Sequence, residues 1–197
     1  MIEVTLASAS TTRAQLFSAA GIAIHQKAAK IDEETIQKVL VLEEASPRDI
    51  ADTLAEYKAR QVALSQDGLV IGCDQTLSLN NQLITKATDR DKASEHLLTL
   101  QGQTHLLYSA AVIYEDQVPV WRVVREAKLV MRPLTKQQIE NYLDQVGDDV
   151  LSSVGCYHLE GIGAQLFTSV EGSYFTVLGL PLLDVLGFLR TRGIGLS

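Results

Sequence analysis

Short apolar runs alternate with amphipathic segments along the chain. Continuous or alternating apolar residues are typical of strands, and apolar residues at every third or fourth position are typical of helices. The runs predict strands over 2–7, 69–73 and 76–79, 105–114, 118–131 and 164–170. The spaced pattern, with Ser, Thr or Pro at each start, predicts helices over 11–20, 46–65, 88–100, 135–147 and 181–192. Because strands and helices interleave around a long hairpin, we expect an α/β fold with a mixed sheet.

Size and composition favour one globular domain. The 197 residues slightly exceed the usual domain size of about 100 to 150 residues. Hydrophobic residues make up 46% and charged residues 21%, so a disordered chain and a coiled coil are both poor interpretations. No repeat or linker-like tract divides the chain. We therefore expect one two-lobed domain over residues 1–197, with two separate domains as the alternative.

The charge balance argues against polyanionic partners. The chain has 24 acidic and 17 basic residues, a net charge of −7 and a pI of about 5.1. We expect no nucleic-acid partner, because such a surface repels nucleic-acid phosphates. The N-terminus lacks a basic segment followed by an apolar one, and no apolar stretch reaches the roughly 18 residues of a membrane span. We therefore expect no membrane partner and a cytoplasmic location.

Cysteine, histidine and glycine spacings match no familiar catalytic or zinc motif. Cys73 and Cys156 form no CxxC pair, so a thiolate zinc site is excluded, whereas a single disulfide between them stays open. The histidines lack HExxH or close spacing, so a histidine zinc site is a poor interpretation. There is no Gly-x-Ser-x-Gly elbow, and Gly161-Ile162-Gly163 is better interpreted as a turn than as a dinucleotide-binding loop.

The turn after the first strand carries groups that can hold a phosphate. Its sequence Ser8-Ala9-Ser10-Thr11-Thr12-Arg13 places hydroxyls, backbone N–H groups and a guanidinium at a helix start. It lacks the Gly-Lys-Ser/Thr of a P-loop. Ordinary capping of the helix by Ser10 is an equally good interpretation, because Ser and Thr are common at helix starts.

Three acidic residues are candidates for a divalent cation site. Asp32 and Glu33 lie in a predicted polar loop, and Asp74 directly follows the apolar run 69–73. Carboxylate oxygens are the ligands that Mg²⁺ prefers, together with substrate phosphates. For the two loop acids simple solvation is the better interpretation, whereas a carboxylate after a buried strand is harder to explain without a function.

Lys58 breaks the apolar stripe of the predicted second helix. Ile50, Leu54, Lys58 and Val62 recur at every fourth position, so the lysine lies on the buried face. An inward lysine needs a partner. The stem can extend the ammonium to the rim, or the ammonium can meet a phosphate or a carboxylate.

The chain resembles the Maf family of nucleoside triphosphate pyrophosphatases over nearly its whole length. The segments that carry the resemblance are, in chain order, Leu6-Ala7-Ser8-Ala9-Ser10 with Arg13, Asp32-Glu33, Leu54-Ala55-Glu56-Tyr57-Lys58-Ala59, Ile71-Gly72-Cys73-Asp74-Gln75, Lys86, Gly102 with His105, Gly155-Cys156-Tyr157, Glu160-Gly161, Glu171-Gly172-Ser173-Tyr174 and Gly179-Leu180-Pro181-Leu182. Chance assembly of so many motifs in family order is implausible.

This resemblance implies both a fold and a reaction. The implied fold is an elongated α/β structure of the Maf and inosine triphosphatase kind, with two lobes and a cleft around a central mixed, twisted sheet; such proteins are commonly homodimers. The implied reaction is house-cleaning hydrolysis of modified nucleoside triphosphates to the monophosphate and pyrophosphate, with Mg²⁺ or Mn²⁺. The phosphate-binding residues implied are Ser8, Ser10, Arg13, Lys58 and Lys86. Glu33 and Asp74 would bind the metal, with Asp74 also accepting the proton of the attacking water.

The same resemblance suggests a substrate. In the family the pairs Asp-Gln and Glu-Gly are associated with 7-methyl-GTP, and this chain has Asp74-Gln75 and Glu160-Gly161. A carboxylate at Glu160 suits the N–H donors of guanine. Two positions depart from the family pattern: Thr12 stands where Arg or Trp is usual, and Ala87 follows Lys86 in place of proline. We therefore place Thr12, Gln75 and Glu160 at the specificity positions.

Three alternatives remain at this point. One is a pyrophosphatase for dTTP and UTP. A second is a nucleotide-binding regulator with little turnover, since Maf proteins are also linked with arrest of septum formation. The residues retained from an active enzyme argue against it: Asp74, Lys58, Lys86 and Arg13. The third is a generic phosphate-binding α/β domain, which accounts for the first loop but not for the later lysines and Asp74.

Overall fold

A seven-stranded mixed sheet forms the centre of the protein in a computed structural model, in which residues 2–196 are described. Its strands are β1 (Val4–Ala7), β2 (His25–Gln26), β3 (Leu69–Leu79), β4 (Gln82–Ile84), β5 (Thr104–Glu115), β6 (Val118–Met131) and β7 (Phe167–Glu171). The helices are α1 (Thr11–Ala19), α2 (Glu33–Leu42), α3 (Pro47–Ala63), α4 (Arg90–Leu100), α5 (Lys136–Val146), α6 (Tyr174–Val177) and α7 (Leu182–Thr191). Two 3₁₀ helices cover Gly147–Ser152 and Ile162–Leu166.

The strand order is β2-β1-β3-β5-β6-β7, and β4 pairs with the far end of β3. Strand β1 runs parallel to β2 and β3, and the other pairs are antiparallel. The predicted mixed α/β sheet is therefore confirmed. Strand β1 stops at Ala7, opposite Gly72, whereas β3 continues along β5 to Ser78. The sheet thus opens beside β3 just beyond Gly72.

Helix α3 packs against one face of β3 at unusually short range. Gly72 makes this possible, because a Cβ atom there would lie 2.1 Å from the carbonyl oxygen of Ala55 and 2.8 Å from the Cβ of Ala59. The alanines of α3 pack there against Val70 of β3 and against Ala110 and Val112 of β5. Helices α1 and α7 cover the opposite face, and α4 and α5 pack around the distal half of β3. The close contact brings Lys58 of α3 beside Asp74 of β3.

The structure corrects two predicted positions of acidic residues. Asp74 does not end a strand: β3 continues without a break, because Asp74 pairs with Ala110 of β5. Glu33 does not lie in a loop: it is the first residue of α2, whose cap Asp32 accepts a hydrogen bond from the backbone N–H of Thr35 at 3.0 Å. Helix α2 has no fully buried residue; Ile36 and Leu40, on its apolar side, are partly buried.

Two smaller boundaries also differ from the predictions. Asp89, and not Thr88, caps helix α4, since its side chain accepts the backbone N–H of Lys92. The predicted strand 164–170 begins only at Phe167, because the residues before it form a 3₁₀ helix. The start of α5 agrees with the predicted one, and Thr135 and Gln138 form a capping box there.

Neither cysteine is bonded. Cys73 and Cys156 are both free and buried, so the disulfide that the sequence left open is not formed. Burial raises the pKa of each thiol to about 11. In the part of the chain from 2 to 196, no helix has the length and apolar character needed to span a membrane.

Candidate active site

A large cleft of about 1540 Å³ lies where the sheet opens beside β3. Its walls come from the turn before α1, from α2 and α3, from the loop after β4 and from the segments 152–160 and 177–179. All ten residues to which the family resemblance assigned a role line it: Ser8, Ser10, Thr12, Arg13, Glu33, Lys58, Asp74, Gln75, Lys86 and Glu160. Asp32 does not line it and is engaged in capping α2. The sequence thus identified residues that the fold brings to one place.

Lys58 lies at the centre of the cleft between two carboxylates. Its Nζ atom is 2.5 Å from Oδ1 of Asp74 and 2.8 Å from Oε2 of Glu33. Lys58 is 7% exposed and Asp74 6%, whereas the side chain of Glu33 is 47% exposed. The inward direction of Lys58 is confirmed, and its partners in this structure are carboxylates. Removing one partner of such a buried pair leaves an uncompensated charge, so the two charges depend on each other.

Arg13 links the turn before α1 to two other segments. Its Nε atom donates to the carbonyl oxygen of Gly179 at 2.7 Å, and one terminal nitrogen donates to the carbonyl oxygen of Cys73 at 3.0 Å and to Oγ of Ser8 at 3.2 Å. The second terminal nitrogen has no hydrogen-bond partner within residues 2–196. Arg13 therefore shapes this wall of the cleft and keeps one nitrogen available for a ligand.

The serines of this turn have local partners. Oγ of Ser10 accepts the backbone N–H of Arg13 at 3.3 Å, so Ser10 is the N-cap of α1 as the simpler interpretation held. Oγ of Ser8 accepts the backbone N–H of Ser10 at 3.2 Å. The side-chain amide of Gln26, on β2, donates to the carbonyl oxygens of Ser8 and Ser10 and holds the turn from outside. Nothing in the sequence around Gln26 signals this support.

The three residues at the specificity positions differ in their surroundings. The amide nitrogen of Gln75 lies 2.9 Å from the carbonyl oxygen of Thr176 and 3.0 Å from that of Val177, so it holds α6 against the sheet. Thr12 is half-buried, and Glu160 is exposed. Lys86 is also exposed and forms no ion pair in the described part of the chain. Glu160 and Lys86 thus line the cleft with exposed side chains that can still reorient.

Comparison with known proteins identifies the family. The family model described as "Maf-like protein" matches residues 3–192. The chain belongs to the Maf family. The resemblance first inferred from its motifs is therefore confirmed.

Curated Maf relatives match nearly the whole chain. "Nucleoside triphosphate pyrophosphatase 1" of Jannaschia sp. (strain CCS1) is 51% identical, covering 98% of each chain. "Nucleoside triphosphate pyrophosphatase" of Caulobacter vibrioides is 48% identical over 96% of each chain. "7-methyl-GTP pyrophosphatase" of Rhizobium meliloti is 48% identical over 95% of each chain. The solved structure of a nucleoside-triphosphatase / dITP/XTP pyrophosphatase from Mycobacterium abscessus matches 98% of this chain and 95% of that chain, at 12% identity and with a TM-score of 0.42.

The residues of this Maf protein fit a hard divalent cation bound through few protein ligands. Glu33 and Asp74 both contact one ammonium group, so their oxygens already converge on a single cation-sized position. Among the described residues no group of three or more His, Cys, Asp or Glu side chains converges. Mg²⁺ commonly binds through one or two carboxylates, with waters and substrate phosphates completing its shell. Glu33 and Asp74 suit this mode of binding, and do not suit a cation that is enclosed by protein ligands alone.

A buried His105–Tyr157 pair supports the cleft segment 152–160. Nε2 of His105, on β5, lies 2.7 Å from the hydroxyl of Tyr157, and its Nδ1 has no partner in the described structure. Burial lowers the pKa of His105 from 6.5 to about 4, and it raises the pKa of Tyr157. Both residues belong to Maf motifs, but the sequence did not reveal that they touch. Their contact fixes one end of the segment that carries Glu160.

Proposed function

We propose that this Maf protein hydrolyses nucleoside triphosphates to the monophosphate and pyrophosphate, with 7-methyl-GTP-like nucleotides as its preferred substrates. The observation that carries the proposal is the buried ion pair of Lys58 and Asp74, joined by the half-exposed Glu33, in a cleft that Arg13 and Lys86 also line. Such a reaction removes modified nucleotides from the cell. The enzyme class follows from the family, whose curated relatives are named nucleoside triphosphate pyrophosphatases.

The cationic residues of the cleft account for triphosphate binding. Arg13, Lys58 and Lys86 line one cleft and can contact a triphosphate there, although acidic residues line the same cleft. The hydroxyls of Ser8 and Ser10 and the backbone N–H groups at the start of α1 add hydrogen-bond donors. Since phosphoryl-type transfer depends mainly on positioning and charge stabilisation, these are the groups that the reaction requires.

Asp74 is the residue we assign to proton transfer. It is fixed within β3 and held by Lys58, so its carboxylate has a defined position at the base of the cleft. A carboxylate placed there can orient a water molecule and accept its proton. Mg²⁺ or Mn²⁺ held by Glu33 and Asp74 would neutralise phosphate charge and make that water a better nucleophile.

Glu160 is the residue we assign to the choice of base. Its exposed carboxylate lies on the cleft wall formed by 152–160 and can accept hydrogen bonds from the N1–H and amine of a guanine. The positive charge of a 7-methylated guanine adds attraction. The Rhizobium meliloti relative, 48% identical, is named for this substrate.

The first test identifies the products. Purified protein would be incubated with 7-methyl-GTP, GTP, CTP, UTP or dTTP and Mn²⁺ or Mg²⁺, and the products read by ³¹P NMR. We expect monophosphate and pyrophosphate, most rapidly from 7-methyl-GTP. Diphosphate and orthophosphate would contradict the reaction, and faster turnover of dTTP or UTP would favour the pyrimidine alternative. Tight nucleotide binding without turnover of any substrate would favour the regulatory role.

The second test concerns recognition of the nucleobase. Glu160→Gln should lower kcat/KM for 7-methyl-GTP by more than tenfold, about 1.4 kcal/mol, and leave dTTP turnover unchanged. Glu171→Gln is the matched control, because Glu171 pairs with Lys128 on the exposed edge and does not line the cleft. An unchanged ratio of the two substrates in Glu160→Gln would remove Glu160 from the recognition of the base.

A further inference from the structure

Lys58 occupies the position between Glu33 and Asp74 that a bound cation would take. We propose that Lys58 is a placeholder: its ammonium neutralises the two carboxylates until a divalent cation displaces it, and the displaced ammonium then faces the triphosphate. The inference rests on the proposed function, since it assumes that Glu33 and Asp74 are the metal ligands. The new element is that the metal and Lys58 compete for the same carboxylate oxygens of Glu33 and Asp74.

The distances support direct competition. Nζ of Lys58 lies 2.5 Å from Asp74 and 2.8 Å from Glu33, so it contacts one oxygen of each carboxylate. Mg²⁺ binds carboxylate oxygens at about 2.0–2.1 Å, and an ammonium in contact with the same oxygens would overlap its coordination shell. Both cations cannot occupy the position together. Metal binding through these two oxygens therefore requires Nζ to move.

The charges explain why the exchange would suit a triphosphate. Without metal, Lys58 and its two carboxylates together carry one negative charge, which repels a polyphosphate. A divalent cation adds two positive charges, so the cation and these three residues together carry one positive charge. The centre thus becomes attractive to the substrate only after the cation has bound. Low exposure of Lys58 and Asp74 weakens solvent screening and enlarges the effect.

The side chain of Lys58 is suited to such a movement. Its backbone is fixed in the buried part of α3, whereas its four-carbon stem has rotatable bonds and already borders the cleft. A rotation of the stem moves the ammonium without disturbing α3. An arginine at this position would present a wider, planar group that favours a fixed bidentate pair.

The test measures Mn²⁺ binding alone, by electron paramagnetic resonance of free Mn²⁺, without nucleotide or turnover. Lys58→Met should bind Mn²⁺ at least about tenfold more tightly than the wild type, because the competing ammonium is gone. Lys58→Gln, which keeps a polar side chain, should act in the same direction. Lys38→Met is the matched control: Lys38 lines the same cleft and its removal changes the net charge equally, but it pairs with Glu34. It should tighten binding by less than about twofold.

The outcomes separate this inference from the proposed function. Equal or weaker Mn²⁺ binding in Lys58→Met overturns the placeholder role, whatever the wild type does with nucleotides. If binding is tighter but stays so after Asp74→Asn is added, Asp74 is no metal ligand, and the metal role in the proposed function also fails.

If neither Lys58 variant folds, a crystal structure of the wild type with Mn²⁺ decides. Nζ of Lys58 more than 4 Å from Asp74 supports displacement, and an intact ion pair beside bound metal refutes it.

Discussion

Helices α2 and α3 each deliver one residue to the same centre, yet they are held in very different ways. Helix α3 buries nine of its 17 residues, among them Lys58, against the sheet. Helix α2 buries none of its ten residues and exposes Val39, Val41 and Leu42. Its cap and the ion pair from Glu33 to Lys58 are local or polar contacts. The fixed helix supplies the cation, and the loosely held helix supplies the second carboxylate.

This difference separates what is rigid in the site from what can move. The backbones of Lys58 and Asp74 are positioned by close packing, which tolerates little displacement of α3 and β3. Glu33 is positioned mainly by an interaction with the site itself, so α2 should respond to whatever occupies the centre. Because few buried apolar contacts hold α2, we expect it to open at a lower free-energy cost than α3. The following predictions test this contrast.

The largest effect should follow from disturbing the packing of α3. Gly72→Ala should lower the free energy of unfolding by at least about 3 kcal/mol, because its Cβ would meet the carbonyl oxygen of Ala55 at 2.1 Å. The matched control is Gly187→Ala in helix α7, where the nearest atom is 3.7 Å away and which should stabilise the protein by up to about 1 kcal/mol. Denaturant unfolding measures both. A loss below 1 kcal/mol in Gly72→Ala would contradict close packing of α3 on β3.

Acidification should weaken the sheet and α3 but leave α2 nearly unaffected. Burial lowers the pKa of His105 from 6.5 to about 4, so between these values the unfolded chain binds a proton that the folded chain does not. The stabilisation is complete above pH 6.5 and is lost as the pH falls to about 4, at a cost of about 3 kcal/mol.

Hydrogen exchange between pH 6.5 and 4 would measure this loss of stability separately for each helix. After correction for intrinsic rates, the opening free energy of α3 should fall and that of α2 should change little. His105→Gln should flatten the dependence for α3. His96→Gln is the control, because partial burial lowers the pKa of His96 as well but leaves the His105–Tyr157 pair intact. Equal pH dependence in wild type and His105→Gln would exclude His105 as the cause.

The smallest effect should be confined to α2. Asp32→Ala removes the side chain that accepts hydrogen bonds from the backbone N–H and the hydroxyl of Thr35. We expect the amides of α2 to exchange about three- to tenfold faster, with no change in α3. Ser46→Ala, which removes the cap of α3, is the reciprocal control and should leave α2 unchanged. Faster exchange throughout the protein in Asp32→Ala would show that α2 is part of the cooperative fold.

Sequence reasoning succeeded where burial leaves a pattern. The apolar stripe of α3 predicted that Lys58 points inward, and the apolar run before Asp74 marked that carboxylate. The same reasoning missed α2: Ile36, Val39 and Leu40 have helical spacing, but the acidic residues before them were interpreted as a polar loop. It also ended the strand too early at Asp74, since the pairing that extends β3 comes from Ala110, far along the chain.

The remaining features of the site depend on contacts between distant segments. The bonds from Gln75 to Thr176 and Val177, and from Arg13 to Gly179, join residues more than 100 positions apart, which no local pattern predicts. The family and the mixed α/β fold are confirmed. The single domain, the homodimer and the roles of individual side chains stay predictions.

The most direct test of the central claim is pyrophosphate release from 7-methyl-GTP with Mn²⁺ by Asp74→Asn. If Asp74 accepts the proton of the attacking water, kcat falls at least about 1000-fold while circular dichroism is unchanged. Asp52→Asn is the control, because Asp52 lies on α3, pairs with Arg122 at 2.9 Å and is outside the cleft; its kcat should stay within about twofold of the wild type. Turnover by Asp74→Asn within tenfold of the wild type would contradict hydrolysis at this centre.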